Sequence, residues 1–190
     1  MNRLLCIVGA LIICVLVGIL ILKNKKPEEI SDNITISRTE SAMVDANIPD
    51  VSQMSLSFVF TPSLTENNKR TMMWVLPFSL PNNDGQYAFK GYITFTGKLK
   101  VLIVKNKTPV YGCESSNLVD FSAKNKFSLH TLNSEHGMIL KLNLNDIETV
   151  GDRIPIPHSS PSGLNLIFKH FSGSFEEVVI NNVKKGIKRI

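Results

Sequence analysis

The sequence predicts an all-β domain, a mainly antiparallel sandwich or open barrel, behind one N-terminal transmembrane helix. Three observations carry this. Leu4 to Leu22 is an unbroken apolar run of 19 residues, long enough as a helix to cross about 28 Å of hydrocarbon. From Val51 onward, apolar and polar residues alternate in short segments separated by turn signals, the period of half-buried strands. No apolar pattern sustained over three helical turns occurs in that body.

The chain has 190 residues, 43% of them hydrophobic and 19% charged. Setting the apolar run aside leaves one domain of ordinary size with enough apolar side chains for a core, which excludes a disordered or collagen-like chain. The formal charge is +5, from 21 Lys and Arg against 16 Asp and Glu. Arg3, Lys23, Lys25 and Lys26 flank the apolar run, so residues 27 to 190 hold 17 basic against 16 acidic side chains. A body this near neutrality gives no electrostatic basis for binding nucleic acid.

Taken in order, residues 1–3 form a short cytoplasmic end, and Leu4 to Leu22, with Gly9, Cys14 and Gly18 inside it, forms the anchor. A cleavable signal peptide has a shorter apolar core that ends at a small-x-small site; this run ends at Ile19-Leu20-Ile21-Leu22 and then lysines. Bulky Ile13 before Cys14 does not suit lipid attachment, so Cys6 and Cys14 read as apolar helix residues. The lysines that follow favour a body inside the cytoplasm under the positive-inside rule. The very short tail, the anchor's place at the start of the chain and the strand-rich body favour the other side. The expectation is a single-pass inner-membrane protein with a periplasmic body. Residues 23–50, sparse in apolar side chains, read as a polar stalk ending near Pro49.

The β-rich domain is expected over 51–183. Leu56, Phe58 and Phe60 alternate with Ser55, Ser57 and Val59; Met72, Trp74 and Leu76 alternate with Thr71, Met73 and Val75. Asn82-Asn83-Asp84-Gly85 marks a turn, and Gln86 to Lys105 reads as a hairpin broken at Gly97-Lys98. Phe127, Leu129 and Thr131 alternate with Ser128 and His130. In the next strand Ile139 and Lys141 oppose Leu140, Leu142 and Leu144, with a tip at His136-Gly137 and a turn at Asn145-Asp146. The prolines between Ile154 and Pro161 exclude a central strand. Leu164 to Phe171 and Phe175 to Val183 form a final pair around Ser172-Gly173-Ser174, giving seven to nine strands and then a basic tail, 184–190. In this tail the lysines read as frayed and solvated, or as a contact for anionic lipid.

Chemistry is sparse. His130 and His136 bracket a hairpin, but with His158 and His170 they match no metal-ligand spacing, and no metal or other cofactor is expected. Cys113 is the one cysteine outside the apolar run, so the body forms no internal disulfide. It reads either as an intermolecular disulfide with a second copy or a partner, or as a buried thiol beside Tyr111. No Gly-x-Ser-x-Gly elbow is present, and Asp146, Glu148, Asp152 and Arg153 fail the calcium-loop template. Asn33-Ile34-Thr35 and Asn106-Lys107-Thr108 have the form of glycosylation acceptors. No catalytic site is expected.

A short cytoplasmic end, one anchor, a polar stalk and a strand-rich body make the layout of Leu4 to Leu22 and Val51 to Val183 resemble the FidL-like inner-membrane proteins of enteric bacteria and, more loosely, the ToxS-like proteins. The resemblance implies a periplasmic partner for a membrane-bound transcriptional regulator with a winged-helix cytoplasmic domain. Independently of it, a tethered sheet without metal or nucleophile signatures suits an interaction module that recruits a protein in the same membrane by a sheet edge or face. The alternative is a structural component of an envelope assembly, such as a secretion apparatus or adhesin.

Overall fold

The computed structural model describes residues 30–63, 71–79, 85–155 and 165–190. Their strands, in chain order, are β1 (Ile30–Ser31), β2 (Asn33–Ile36), β3 (Ser41–Asp45), β4 (Ser55–Pro62), β5 (Thr71–Ser79), β6 (Gln86–Ile93), β7 (Lys98–Lys105), β8 (Thr108–Leu118), β9 (Asn125–Ser134), β10 (Gly137–Leu144), β11 (Ile147–Ile154), β12 (Asn165–Lys169), β13 (Gly173–Ile180), β14 (Val183–Lys184) and β15 (Ile187–Arg189). A single 3₁₀ turn, Val51–Gln53, precedes β4, capped by Asp50, whose Oδ1 accepts from the Ser52 N–H at 2.8 Å. Along β4 and β10 every second residue is buried, as a strand with one face on a core requires.

Two antiparallel sheets face each other. The first runs β1-β15-β3-β12-β5-β6-β7-β8; the second runs β11-β10-β9-β4-β13-β14, with β2 also paired to β13. The expected antiparallel sandwich is therefore present. An aromatic cluster fills the space between the layers. Phe58 of β4 lies 4.5 Å from Phe127 of β9 and reaches across to Phe168 of β12 at 5.3 Å, and Phe168 stacks on Phe175 of β13 at 4.1 Å between ring centres. Trp74 of β5, fully buried, joins through Phe127 at 5.7 Å. It has room because its cross-strand partner is Gly91: a Cβ there would lie 2.0 Å from the indole Nε1.

At one side of the sandwich the edge strands of the two sheets meet. The Ser116 N–H of β8 donates to Thr149 Oγ1 of β11 at 3.1 Å, and Asn117 Nδ2 donates to the Leu144 carbonyl at 2.8 Å. Cys113 lies in this seam, its Sγ 3.8 Å from the Thr149 carbonyl.

Several expectations need correction. From Ile30 onward the segment read as a polar stalk over 23–50 belongs to the body, as β1, β2 and β3. Its buried side chains, Ile34 and Ile36 and then Ala42, Val44, Ala46 and Ile48, alternate in two short runs separated by the polar stretch 37–41, so the average composition of the segment concealed them. The segment read as a basic tail over 184–190 is built in: β15 lies between β1 and β3, and Ile187 is fully buried. Arg189 pairs with Glu40, whose carboxyl is held below its ordinary range chiefly by the Ser37 N–H and hydroxyl, with Arg189 adding. The described residues thus hold fifteen strands, several of two or three residues, where seven to nine were expected. The pair around Ser172-Gly173-Ser174 is split, with β12 in the first sheet and β13 in the second. The anchor residues Leu4, Gly9, Cys14, Gly18 and Leu22 lie outside the described residues, among which no helix is long and apolar enough to cross a membrane.

Candidate functional site

The outward positions of β4 are all short: Ser55, Ser57, Val59 and Thr61. Strand registers extend this into rows that cross the sheet. One row reads Glu148, Asn143, Ser128, Ser57, Val179, Lys184 from β11 to β14. The next reads Val150, Lys141, His130, Ser55. Residues paired in an antiparallel ladder share a face, so short side chains at the centre are flanked by long ones. Lys141 is held by Glu148 at 3.2 Å on one flank and Lys184 by Asp32 at 2.7 Å on the other. The Asp32 hydrogen bond and charge raise the Lys184 pKa above its ordinary value.

The result is a trough along β4 and β9 with two consecutive hollows. One of about 320 Å³ lies over Ser57, Val59, Ser128, Asn143 and Val179 and is also lined by the charged side chains of Lys126, Asp146 and Glu177. The other, of about 670 Å³, lies over Ser55, His130, Asn133, Asn181 and Asn182. Asn181 is fixed in place, its N–H donating to the Ser55 carbonyl and its Oδ1 accepting from the Ser55 N–H at 2.8 Å. At the far end Lys124 bridges both carboxylate oxygens of Glu176 at 2.8 and 2.9 Å, which raises the lysine pKa. Hydroxyls and amides both donate and accept, while Val59 and Val179 supply an apolar floor.

The trough shows binding chemistry more readily than catalysis. Ser55 faces His130 across the ladder, yet no hydrogen bond joins them, and the neighbour of His130 on its other side is the cation Lys141. An activated serine needs a hydrogen-bonded base oriented by a third group.

The residues singled out in the sequence fall elsewhere. Cys113 is 4% exposed, against Gly151, where an added Cβ would sit 3.3 Å from its sulfur; its burial favours the thiol reading. The hairpin does not bring His130 and His136 together: His130 pairs with Lys141 four residues below Ser134, about 13 Å down the strand. His158 lies outside the described residues, and His170 is exposed at the end of β12 with φ +58°. Among the described residues no three His, Cys, Asp or Glu side chains converge. Asn106 builds the β7–β8 turn, its Oδ1 accepting from the Gln86 N–H at 3.0 Å, and Asn33 is exposed on β2. The sequence reading did not find the trough; its signal is the set of short side chains at the outward positions of β4, Ser55, Ser57, Val59 and Thr61, with Ser128 of β9 beside them.

No family description matches the sequence, and no curated protein matches it. The fold does have solved counterparts. A native heptameric SAP-like pentraxin from Limulus polyphemus superposes with a TM-score of 0.54 at 12% identity, over 80% of this chain and 74% of that one. A variant of human galectin-16 gives 0.51 at 9% identity, over 78% and 99%. The CBM40 module of the Ruminococcus gnavus IT-sialidase, bound to α2,3-sialyllactose, gives 0.51 at 16% identity, over 85% and 90%. The chain is similar to these in fold, as an antiparallel β-sandwich of two sheets.

Proposed function

We propose that this chain is a membrane-anchored, non-catalytic binding module whose body lies on the periplasmic side and takes a carbohydrate chain along the β4–β9 trough. The observation that carries the reading is the cross-sheet row Asn143, Ser128, Ser57, Val179: uncharged groups that donate and accept, beside a valine for the apolar face of a sugar. Open hydroxyl and amide groups suit a ligand made of hydroxyls, and the charged side chains Lys126, Asp146 and Glu177 around the hollow can share further hydrogen bonds with it. The sialyllactose-bound module of similar fold adds support by analogy of fold alone. The apolar run Leu4 to Leu22 supplies the anchor.

The test is a glycan array probed with the full chain in detergent, followed by titration of any ligand found. Ser57→Trp fills the trough at an outward position, so retention should fall at least about tenfold, the loss expected when a bulky side chain occupies a binding hollow, with the thermal midpoint unchanged. Equal binding by the variant, or no glycan retained by the parent, overturns the reading.

A second reading, a protein partner such as a membrane-bound transcriptional regulator, draws on the opposite outer face. There Met43, Ile167, Val75, Lys90 and Leu102 fall in one register row across the first sheet. Co-purification with such a regulator from detergent supports it, recovery only as an isolated monomer counts against it, and recovery in a large envelope complex points to the structural role.

A further inference from the structure

The registers of the first sheet fix which loops share an end of the sandwich. Ile30 pairs with Lys188, so the start of β1 lies beside the end of β15. Arg189 pairs with Ala42, at the start of β3, and Ser41 pairs with Lys169, at the end of β12. Phe168 pairs with Trp74, near the start of β5, and Thr71 pairs with Ile93, at the end of β6. The end at which residue 29 enters the body is therefore the end that carries the β6–β7 turn, Thr94 to Lys98.

That turn projects an aromatic side chain into solvent. Phe95 is 65% exposed, and Leu118, which pairs with Lys98, is 58% exposed. Gly97 adopts φ +83°, and a Cβ there would meet Phe121 at 3.6 Å and Leu118 at 4.0 Å. Phe121 in turn is half-buried against the core, so Leu118 and Phe121 lie beside the turn that carries Phe95, and these three side chains are the apolar part of the tip. Lys98 and Lys100 stand beside it, each 3.8 Å from Glu114. Ile190, 60% exposed, and Ile147, 48% exposed, belong to the same end.

We infer that this end of the sandwich docks on the membrane that holds the chain, with Phe95 and Leu118 in the interfacial layer. The inference rests on the anchor in the preceding reading. If Leu22 ends the anchor, only residues 23–29 separate it from Ile30, and seven residues reach at most about 25 Å. From β1 to β6 the sheet is five strand spacings wide, about 24 Å, so a body set down on this end brings the Phe95 turn to the same plane as the anchor's exit. An exposed aromatic and an exposed leucine at the strand ends are side chains that partition into the headgroup boundary through their apolar surface.

The test uses the full chain reconstituted in vesicles of phosphatidylcholine and phosphatidylglycerol carrying bromine on their acyl chains. Phe95→Trp places an indole at the tip; His136→Trp places one at the β9–β10 turn, at the other end of the body; Trp74 in the parent gives the buried background. The expected result is that bromine removes about half of the emission added by Phe95→Trp, the depth of an interfacial side chain, and none of that added by His136→Trp. Emission from Phe95→Trp that bromine leaves unchanged, or that falls no further than with His136→Trp, overturns the docking. The anchor is read separately by flotation after carbonate extraction: chain that floats with unquenched emission refutes the docking alone, whereas chain stripped from the vesicles refutes the anchor and the docking with it.

Discussion

Thr131 shows how one hydroxyl can tie a loop to a sheet. It was expected to alternate as an inward residue of a short strand, and it is 2% exposed. Its Oγ1 donates to the Val51 carbonyl at 2.6 Å and accepts from the Met54 N–H at 2.7 Å, holding the 3₁₀ turn ahead of β4. Thr131→Val keeps the shape and strands both backbone groups, so it should cost about 1–3 kcal/mol, read as a lower urea midpoint with unchanged slope. Gly91 is the converse case, a residue whose lack of a side chain is required. A methyl group there meets the indole of Trp74 at 2.0 Å, and Trp74 is itself fully buried. Gly91→Ala should destabilise by about 1–3 kcal/mol, and the near-ultraviolet circular dichroism of Trp74 should change with it. Neither role was visible in the sequence, because each depends on a partner that only the ladder supplies.

Among the elements, those with alternation sustained over eight or more residues were legible, and shorter ones such as β2 and β3 were not, although they alternate too. β4, β9 and β10 bury every second residue over eight or more positions, and the Gly137 and Asn145-Asp146 turns were read from residues suited to positive φ, which they adopt. β15 has three residues, two of them basic, and its assignment depends wholly on tertiary pairing with β1 and β3. If β15 is a structural strand, Ile187→Ala should cost about 2–4 kcal/mol, while Lys185→Ala should change the urea midpoint little. Equal midpoints for both variants would restore the frayed-tail reading. The trough was half legible: the serines of β4 and β9 were seen to alternate with phenylalanines, but not that the two strands are neighbours. That adjacency arises because β4 pairs with β9 across a gap of more than sixty residues, a non-local contact that periodicity does not encode.

At the level of the whole molecule, the fold class followed from patterning, while the boundaries of the body did not. The described body reaches from Ile30 to Ile190, past both 51 and 183, since short strands outside those bounds complete the two sheets. The trough runs along β4 and the apolar tip lies at the strand ends, so the two surfaces are at right angles, and a body resting on the tip leaves the trough open along its flank. The placement of β15 between β1 and β3 also sets an order of events during synthesis. The slot between the first and third strands stays empty until residues 187–189 arrive, after the other described strands have been made. Until then two strand edges remain open to wrong partners.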